Sequence, residues 1–258
     1  MTLQKIPGFE STAYAYQAGR IVWAGAGGRT DHPRNAHAPW HPAAPAPALD
    51  ANRLQIGAAT CLALFSPAAA QPLEAVGLMR WLIGQPLAFP LNHATQRFDA
   101  VRDALLQHDL AAFAPAAIRL LGLGNGLTPS GDDFVGGILF TLVHVQPGKA
   151  AQAWLRQLPR VKRQIGTAAQ SATNVISAAL LDDSMAGSSY RVLHELLAAF
   201  NTPCADGRLA ASIEPAGEPA IATAIESATL NLLALGASSG SDLLAGVLLA
   251  IGTLPTAH

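Results

Sequence analysis

The spacing of hydrophobic residues changes near residue 92. Before that point, short apolar runs such as Ala13–Tyr16 and Ile21–Ala24 are separated by turn-forming residues, here Gln17–Arg20. Short apolar runs bounded by turn residues predict β-strands. Leu54–Ile56 and Ala59–Phe65 predict two further strands. The N-terminal part of the chain is therefore expected to be a small β-rich domain.

After residue 92 the hydrophobic residues recur at helical spacing. Ala94, Phe98, Val101 and Leu105 lie at i, i+4, i+7 and i+11, which places them on one face of a helix. Similar patterns predict further helices over about 110–120, 134–145, 161–181, 189–200 and 219–235, and a last one after residue 240. We therefore predict an α+β protein, with a β-rich domain over residues 1–90 and a mainly α-helical domain over residues 91–258.

A glycine-rich segment, Gly122–Gly137, leads directly into the apolar run that ends at Val145. This pattern predicts a loop that brings polar groups to the N-terminus of a buried helix. Helix N-termini carry unpaired backbone N–H groups and a partial positive charge, so they bind anions. Glycine also lets the backbone come close to a ligand. The loop is thus a candidate site for a small anion.

A second copy of this motif lies near the C-terminus. Ser130–Leu139 and Ser239–Leu248 are identical at five of ten positions, and the offset of 109 residues is too long for a solenoid repeat. We expect two similar loop–helix corners that pack together, with both helix N-termini facing one pocket. The alternative is chance recurrence of small residues in a chain rich in Gly, Ala and Ser.

The candidate substrate-binding residues come from both corners. A hydroxyl such as that of Ser130 can donate to phosphate or carboxylate oxygens, although it can equally serve as the N-cap of the helix. Thr173 and Ser177 are four residues apart on a predicted helix, where they either line the same pocket or form a tight helix contact. The full substrate-binding set is Gly124, Asn125, Gly126, Thr128, Ser130, Gly131, Thr173, Ser238, Ser239, Gly240 and Asp242.

Asp132 and Asp133 are the candidate catalytic residues. Carboxylates in a first helical turn are also favoured by the helix dipole, which alone could explain either residue. Beside an anionic ligand they would have to accept a substrate N–H, point away, or bind a cation such as Mg²⁺. We predict no resident metal or cofactor, with Mg²⁺ as the open alternative. His32, His37 and His41 are expected to be exposed loop residues.

Composition excludes several classes of protein. Half of the residues are hydrophobic, 13% are charged, and the net charge is −1. This balance favours a buried core over disorder and provides no basic field for nucleic acid or an anionic membrane. The two longest apolar runs have about twelve residues, against the roughly twenty needed to span a bilayer. Without an N-terminal apolar signal or a disulfide framework, the protein is expected to be cytoplasmic.

The glycine motif also resembles that of a known family. Gly124–Phe134 is similar to the hallmark of a bacterial family, long described as a domain of unknown function, that includes the small subunit of oxamate carbamoyltransferase from purine (allantoin) degradation. Gly236–Asp242 resembles the second Gly/Ser/Asp loop of that family, and Thr173–Leu181 resembles its Thr/Ser helix. The resemblance covers roughly residues 118–250.

The resemblance implies a subunit that works with larger partner subunits, some of them related to acyl-CoA synthetases. The implied reaction interconverts oxalurate and phosphate with oxamate and carbamoyl phosphate. These are all small anions, which suits a glycine-rich helix N-terminus. Two alternatives stay open: a non-catalytic binding or assembly subunit of such a complex, and a Mg²⁺-dependent phosphotransfer enzyme that uses Asp132 and Asp133.

Overall fold

The computed structural model describes residues 3–9, 12–24, 31–37, 39–42, 49–64, 77–82, 91–146, 149–202 and 219–255. Within them the elements follow one another as β1 (Gln4–Lys5), β2 (Tyr14–Gln17), β3 (Arg20–Trp23), α1 (Ala51–Leu64), α2 (Gly77–Leu82), a 3₁₀ helix (Leu91–Ala94), α3 (Thr95–Leu106), α4 (Leu110–Ile118), α5 (Ser130–His144), α6 (Lys149–Leu155), α7 (Leu158–Ala172), α8 (Val175–Met185), α9 (Arg191–Phe200), α10 (Pro219–Leu233) and α11 (Ser239–Gly252).

The N-terminal strands form a three-stranded antiparallel sheet in the order β1-β2-β3. Tyr14 lies opposite Trp23. The chain turns between β2 and β3 at Ala18 and Gly19, whose φ angles are +50° and +76°. Positive φ at both central residues is typical of a type I′ two-residue hairpin turn, whose twist matches that of the strands. The hairpin predicted from the sequence is confirmed.

The two further strands predicted over 54–56 and 59–65 are wrong, because Ala51–Leu64 is the helix α1. Leu54, Ala58 and Cys61 are buried at spacings of four and three residues, which is a helical stripe. The carboxylate of Asp50 accepts a hydrogen bond from the Arg53 amide and so caps the helix. A short Ala-rich apolar run does not by itself distinguish a strand from a buried helix.

The helical half follows the predicted pattern, apart from one break and from α6, which the sequence analysis did not predict. The helix expected over 161–181 is two helices, α7 and α8, which separate at Thr173 and Asn174. Asn174 has an extended backbone, and its side chain accepts hydrogen bonds from the amides of Ile176 and Ser177. An Asn side chain that caps the following helix in this way ends the previous one.

α5 and α11 lie at the centre of the core, and α5 is buried at every position from Ser130 to Leu142. Phe98 and Trp81 pack on Phe134 at the start of α5, with ring centroids 5.2 and 6.1 Å away. Leu54 of α1 belongs to the same hydrophobic cluster, so the first helix packs with the helices that follow. Among the described residues, every helix is too short or too polar to cross a membrane.

A small sheet followed by a mainly helical region confirms the predicted α+β class. The division into two domains at residue 90 stays a prediction. In the Pro- and Ala-rich segment 38–48, residues 38 and 43–48 lie outside the described residues, as does Cys204, one of the two cysteines of the chain.

Candidate functional site

Glycines shape the loop that leads into α5. Gly122, Gly124 and Gly126 have φ angles of +75°, +118° and +95°, a region that side-chain-bearing residues rarely adopt. A Cβ at position 124 would lie 2.7 Å from the Ser130 amide nitrogen, so the loop folds tightly over the first residue of the helix. Gly236, at φ +63°, has the same role before α11, where a Cβ would lie 3.2 Å from the Ser239 hydroxyl oxygen.

The first turns of α5 and α11 each pack a glycine against a backbone carbonyl of a preceding segment. A Cβ at Gly131 would lie 2.0 Å from the carbonyl oxygen of Leu120, and one at Gly240 would lie 1.9 Å from that of Leu232. Both glycines occupy the same position in the repeated motif. Each therefore allows its helix to start directly against the carbonyl of a preceding segment, where no larger residue fits.

The two helices also cross through a reciprocal pair of glycines. A Cβ at Gly137 would lie 2.2 Å from the carbonyl oxygen of Leu243, and one at Gly246 would lie 2.1 Å from that of Phe134. In the aligned motif, Phe134 corresponds to Leu243, and Gly137 corresponds to Gly246. The contacts are thus exchanged between the two copies, as expected for a local two-fold relationship between α5 and α11.

This crossing brings the two motif corners together. The hydroxyl oxygens of Thr128 and Ser239 lie 2.7 Å apart, at hydrogen-bonding distance. The hydroxyls of Ser239 and Thr128 lie close enough to the Asp133 carboxyl of α5 to lower its pKa. In the other direction, the hydroxyls of Ser130 and Ser238 act in the same way on Asp242 of α11. The first serine of each helix therefore contacts the aspartate of the other.

Both aspartates are buried. Asp133 is 8% exposed and Asp242 is 3% exposed, and Oδ2 of each has no hydrogen-bond partner among the described residues. Burial raises the pKa of Asp133 well above its ordinary value of 3.8, and the negative charge of Asp242 raises it further, against the hydroxyl hydrogen bonds. Burial likewise raises the pKa of Asp242 to about 6. Burial therefore disfavours ionisation of both carboxyls, and the charge of one disfavours the charge of the other.

Asp132 has a different environment. Its carboxylate accepts hydrogen bonds from the Gly122 amide (2.8 Å), the Ser177 hydroxyl (2.6 Å) and the Thr173 hydroxyl. Burial raises its pKa, and these three donors oppose that shift. Thr173 and Ser177 do meet at one point, as the sequence suggested, but they meet on a protein carboxylate. Asp132 thus ties the glycine loop to the start of α8.

The backbone amides at the two helix starts have protein acceptors. Gly131 donates to the carbonyl of Leu123 (2.8 Å), and Gly240 donates to that of Leu235 (3.0 Å). Ser130 is the first residue of α5 rather than its N-cap, a position that Pro129 takes, while Ser238 precedes α11 as its N-cap without a side-chain capping bond. Because these two amides already donate to protein carbonyls, a ligand between the corners would receive its hydrogen bonds mainly from side-chain hydroxyls.

The other residues predicted to bind substrate differ in their exposure to solvent. Asn125 and Gly126 are exposed at the tip of the first loop, and Thr128, Ser238 and Ser239 are half-buried. The half-buried hydroxyls therefore lie between the surface and the buried aspartates. No site role predicted for these residues is tested by their positions alone, and each stays a prediction.

A small cavity of about 10 Å³, roughly the space of one water molecule, borders Asp133. Its lining includes Asp132, Ser177, His32 and Tyr190. Tyr14 of β2 hydrogen bonds to Tyr190, which brings the N-terminal sheet to the edge of this cavity. Nowhere in the described ranges do three or more His, Cys, Asp or Glu side chains form a group that could hold a metal ion.

His32 is buried, so the prediction of an exposed loop residue is wrong for it; His37 and His41 are exposed as predicted. The His32 ring accepts a hydrogen bond from the Arg34 amide and packs at a tilt against the ring of Tyr190, with ring centroids 4.7 Å apart. Burial lowers the pKa of His32 to about 3, and the positive charge of Arg34 lowers it further.

The sequence analysis missed Arg34, which anchors the segment that contains His32. Arg34 forms an ion pair with Asp183 and donates hydrogen bonds to the carbonyls of Ile21 and Ala179 (both 3.0 Å). Arg34 and Asp183 are 149 residues apart. Because the signal is a single long-range pair, no local spacing in the sequence indicates it.

Comparison with known proteins adds one match. The model of the family described as oxamate carbamoyltransferase subunit AllH matches residues 120–251, which include both motif corners, α7 and α8. No curated protein and no solved structure is significantly similar to the chain.

Proposed function

The chain belongs to the oxamate carbamoyltransferase subunit AllH family, and from this premise we propose that it provides a binding site for small anionic substrates within a carbamoyltransferase complex. The observation that carries the proposal is the contact between Thr128 and Ser239, whose hydroxyl oxygens are 2.7 Å apart. Through this contact, two motif corners that are far apart in the sequence present their polar groups at one place.

The electrostatics of the two corners support an anionic ligand. α5 and α11 bring two helix N-termini together, and each carries a partial positive charge. Asp133 and Asp242 would repel an anion if both were ionised, but burial and the neighbouring Asp242 charge favour the neutral form of Asp133, so the two carboxyls are not both charged together. Three hydroxyls, those of Thr128, Ser238 and Ser239, are half-buried beside them and can donate to phosphate or carboxylate oxygens.

The substrates are those that the family implies: oxamate with carbamoyl phosphate in one direction, and oxalurate with phosphate in the other. The cavity beside Asp133 has room for about one water molecule, so a substrate of this size binds on the loop side, near Asn125 and Ser238. We expect partner subunits to close the site over these loops. A cytoplasmic location and a place in purine degradation are part of this proposal.

The test is the release of phosphate from carbamoyl phosphate and oxamate by the complex of this chain with its partner subunits. Ser239→Ala should lower kcat/KM by tenfold or more, since a hydroxyl that binds a charged group contributes about 1.5–3 kcal/mol. Ser171→Ala, an exposed serine on α7, is the matched control and should behave as wild type. Full activity of Ser239→Ala would contradict the proposal.

The second candidate is a non-catalytic assembly subunit. It is supported by the helix-start amides of Gly131 and Gly240, which already have backbone acceptors, and by the three protein donors on Asp132. On this view, Ser239→Ala would lower the thermal stability of the complex and leave substrate affinity unchanged. Measuring the melting temperature and KM on the same samples separates the two candidates.

The third candidate is a Mg²⁺-dependent phosphotransfer enzyme, and one observation supports it. The unpartnered Oδ2 atoms of Asp133 and Asp242 are the kind of oxygen that binds Mg²⁺. Activity that is lost with a chelator and restored by Mg²⁺, with Asp133→Asn abolishing the restoration, would favour this candidate.

A further inference from the structure

The first half of α7 has a cluster of cations on its solvent side. Arg160 and Arg163 are exposed and three residues apart, so they share one face of the helix. Arg156 is exposed in the turn before the helix, and Lys162 is half-buried beside Arg163. Among the described residues, no carboxylate lies within ion-pair distance of any of these four side chains. The cluster is therefore positive and without an internal counter-charge.

The sequence around α7 is unusual in its charge. No Asp or Glu occurs between Asp133 and Asp182, a stretch that contains five Lys and Arg residues, although the net charge of the whole chain is −1. Exposed charges on a helix are often balanced by an opposite charge one turn away, as Arg191 is by Glu195 on α9, at 3.2 Å. Because α7 lacks such partners, its cations are available to the carboxylates of another molecule.

The other end of α7 lies against the motif corners. A Cβ at Gly122 would lie 2.3 Å from the carbonyl oxygen of Ala172, so the last turn of α7 packs on the glycine loop. The Asn174 side chain donates to the carbonyl of Leu127 (2.9 Å), and the contact between the two corners adds the loop before α11. Three segments therefore form one continuous surface: residues 122–128, 171–175 and 236–239.

This surface is uncharged, because none of the three segments contains Asp, Glu, Lys or Arg. Val175, at the start of α8, is 43% exposed and is one of the few large apolar residues at the surface of the described chain. Arg163 is nine residues before Ala172, which is about 14 Å along α7. An uncharged centre with charged residues at its border is the usual composition of a protein–protein interface.

We propose that the three segments and the exposed side of α7 together form the docking face for a partner subunit, which presents carboxylates to Arg160 and Arg163. This inference rests on the proposed function, because it takes the chain to be a subunit of a carbamoyltransferase complex. The partner subunit then covers the loops of both corners and excludes water from a substrate bound there. A nucleic acid or an anionic membrane would require cations across the whole face, whereas the three segments have none.

The experiment measures the affinity of the purified chain for its purified partner subunits at low and at high salt. Arg160→Glu with Arg163→Glu should weaken binding by about tenfold at low salt, mainly through slower association, because like charges then face each other. The difference should shrink at high salt, which screens these charges. Arg20→Glu with Arg53→Glu, at exposed positions of β3 and α1, changes the net charge equally and should bind as wild type.

A second variant tests the uncharged centre of the docking face. Val175→Asp places a charge where the partner subunit excludes water, so it should weaken binding by about tenfold at both salt concentrations. The free chain should keep its melting temperature, since an aspartate in the first turn of a helix is favoured by the helix dipole. Leu230→Asp, at a 49% exposed position of α10, is the matched control and should bind as wild type.

The outcomes separate this inference from the proposed function. If both the α7 variant and Val175→Asp fold and bind the partner subunits as tightly as their controls, the inference is overturned and the proposed function stands. A loss confined to self-association of the chain, or to binding of duplex DNA, would also overturn it. A wild-type chain that binds no partner subunit would overturn both. A complex that forms through the docking face without carbamoyl transfer would overturn only the proposed reaction.

Discussion

Gly246 packs so closely on Phe134 that a Cβ at position 246 would lie 2.1 Å from the Phe134 carbonyl oxygen. The same contact recurs between Gly137 and Leu243, the corresponding residues of the other motif copy. The hydroxyls and aspartates of the two corners meet because the helix axes approach at these glycines. The glycines thus control the geometry of the two corners from about one helical turn beyond the aspartates and about two turns beyond the serines.

Gly246→Ala should force α5 and α11 apart. The added methyl group meets backbone atoms, which cannot move aside as a side chain can, so we expect unfolding to become easier by about 1–3 kcal/mol. Chemical denaturation of the purified chain measures this loss.

Gly252→Ala, in the same helix, is the matched control. A Cβ there meets nothing within 4 Å. The substitution should leave stability unchanged or raise it by about 0.5–1 kcal/mol, because alanine favours the helix more than glycine does. Equal effects at 246 and 252 would contradict the close crossing.

Asp132→Asn should cost more stability than substitution of an exposed aspartate. The Asp132 carboxylate accepts from Gly122, Thr173 and Ser177, and an amide in its place presents N–H groups to at least one of these donors. Hydrogen bonds to a charged group contribute about 1.5–3 kcal/mol, so a loss of about 2 kcal/mol is expected from denaturation curves. Asp103→Asn, at a largely exposed position of α3, should change stability by less than about 0.5 kcal/mol.

Asp242 should make the protein less stable as pH rises. Its pKa in the folded protein is about 6, against an ordinary value of 3.8, so the folded state holds a proton that the unfolded state has already lost. By linkage, the stability that this proton gives is complete below pH 4 and is lost as pH rises through 6, a change of about 3 kcal/mol.

Asp242→Asn should remove that loss. Denaturation at pH 4, 5, 6 and 7 should show a flatter profile for the variant than for the wild type, whatever the constant offset between them. Glu226→Gln, an exposed position on α10, serves as the control and should keep the wild-type profile. A profile of Asp242→Asn parallel to that of the wild type would show that Asp242 does not titrate in this range.

His32 should affect the pH dependence of stability in the opposite direction from Asp242. Its pKa of about 3 lies below the ordinary value of 6.5, so the folded state excludes a proton that the unfolded state binds. The stability that this gives is present above pH 6.5 and is lost as pH falls towards 3. His32→Gln should flatten the acid side of the stability profile, whereas His37→Gln, at an exposed position, should not. Acid denaturation of the three proteins measures the difference.

The parts of the fold that were predicted correctly have local signals. The spacing of Phe98, Val101 and Leu105 identifies α3 because they form one helical face. The repeat of Ser130–Leu139 at Ser239–Leu248 identifies the two corners because both helices meet the same steric demand, a glycine against a backbone carbonyl. Local pattern therefore predicted the two helix starts and their close packing, and the ligand site between them stays a prediction.

The parts that were missed depend on tertiary contacts. The sequence of α1 was read as two strands because its apolar residues form short runs. Which of them are buried, among them Leu54, Ala58 and Cys61, depends on how the helix packs in the core. The break at Thr173 depends on an Asn cap and on the bond from the Asn174 side chain to the Leu127 carbonyl (2.9 Å). His32 is buried because Arg34 is anchored by Asp183. None of these follows from the spacing of neighbouring residues.

Calorimetric titration of the complex with carbamoyl phosphate tests the central claim, that the two corners form one binding site. Wild type and Ser171→Ala should bind one ligand per chain with equal affinity. Thr128→Val and Ser239→Ala should each weaken binding by about tenfold, or 1.4 kcal/mol, and the double variant should depart from additivity because both residues act on one site. Binding that is unaffected by either substitution, or affected by only one corner, would contradict the account.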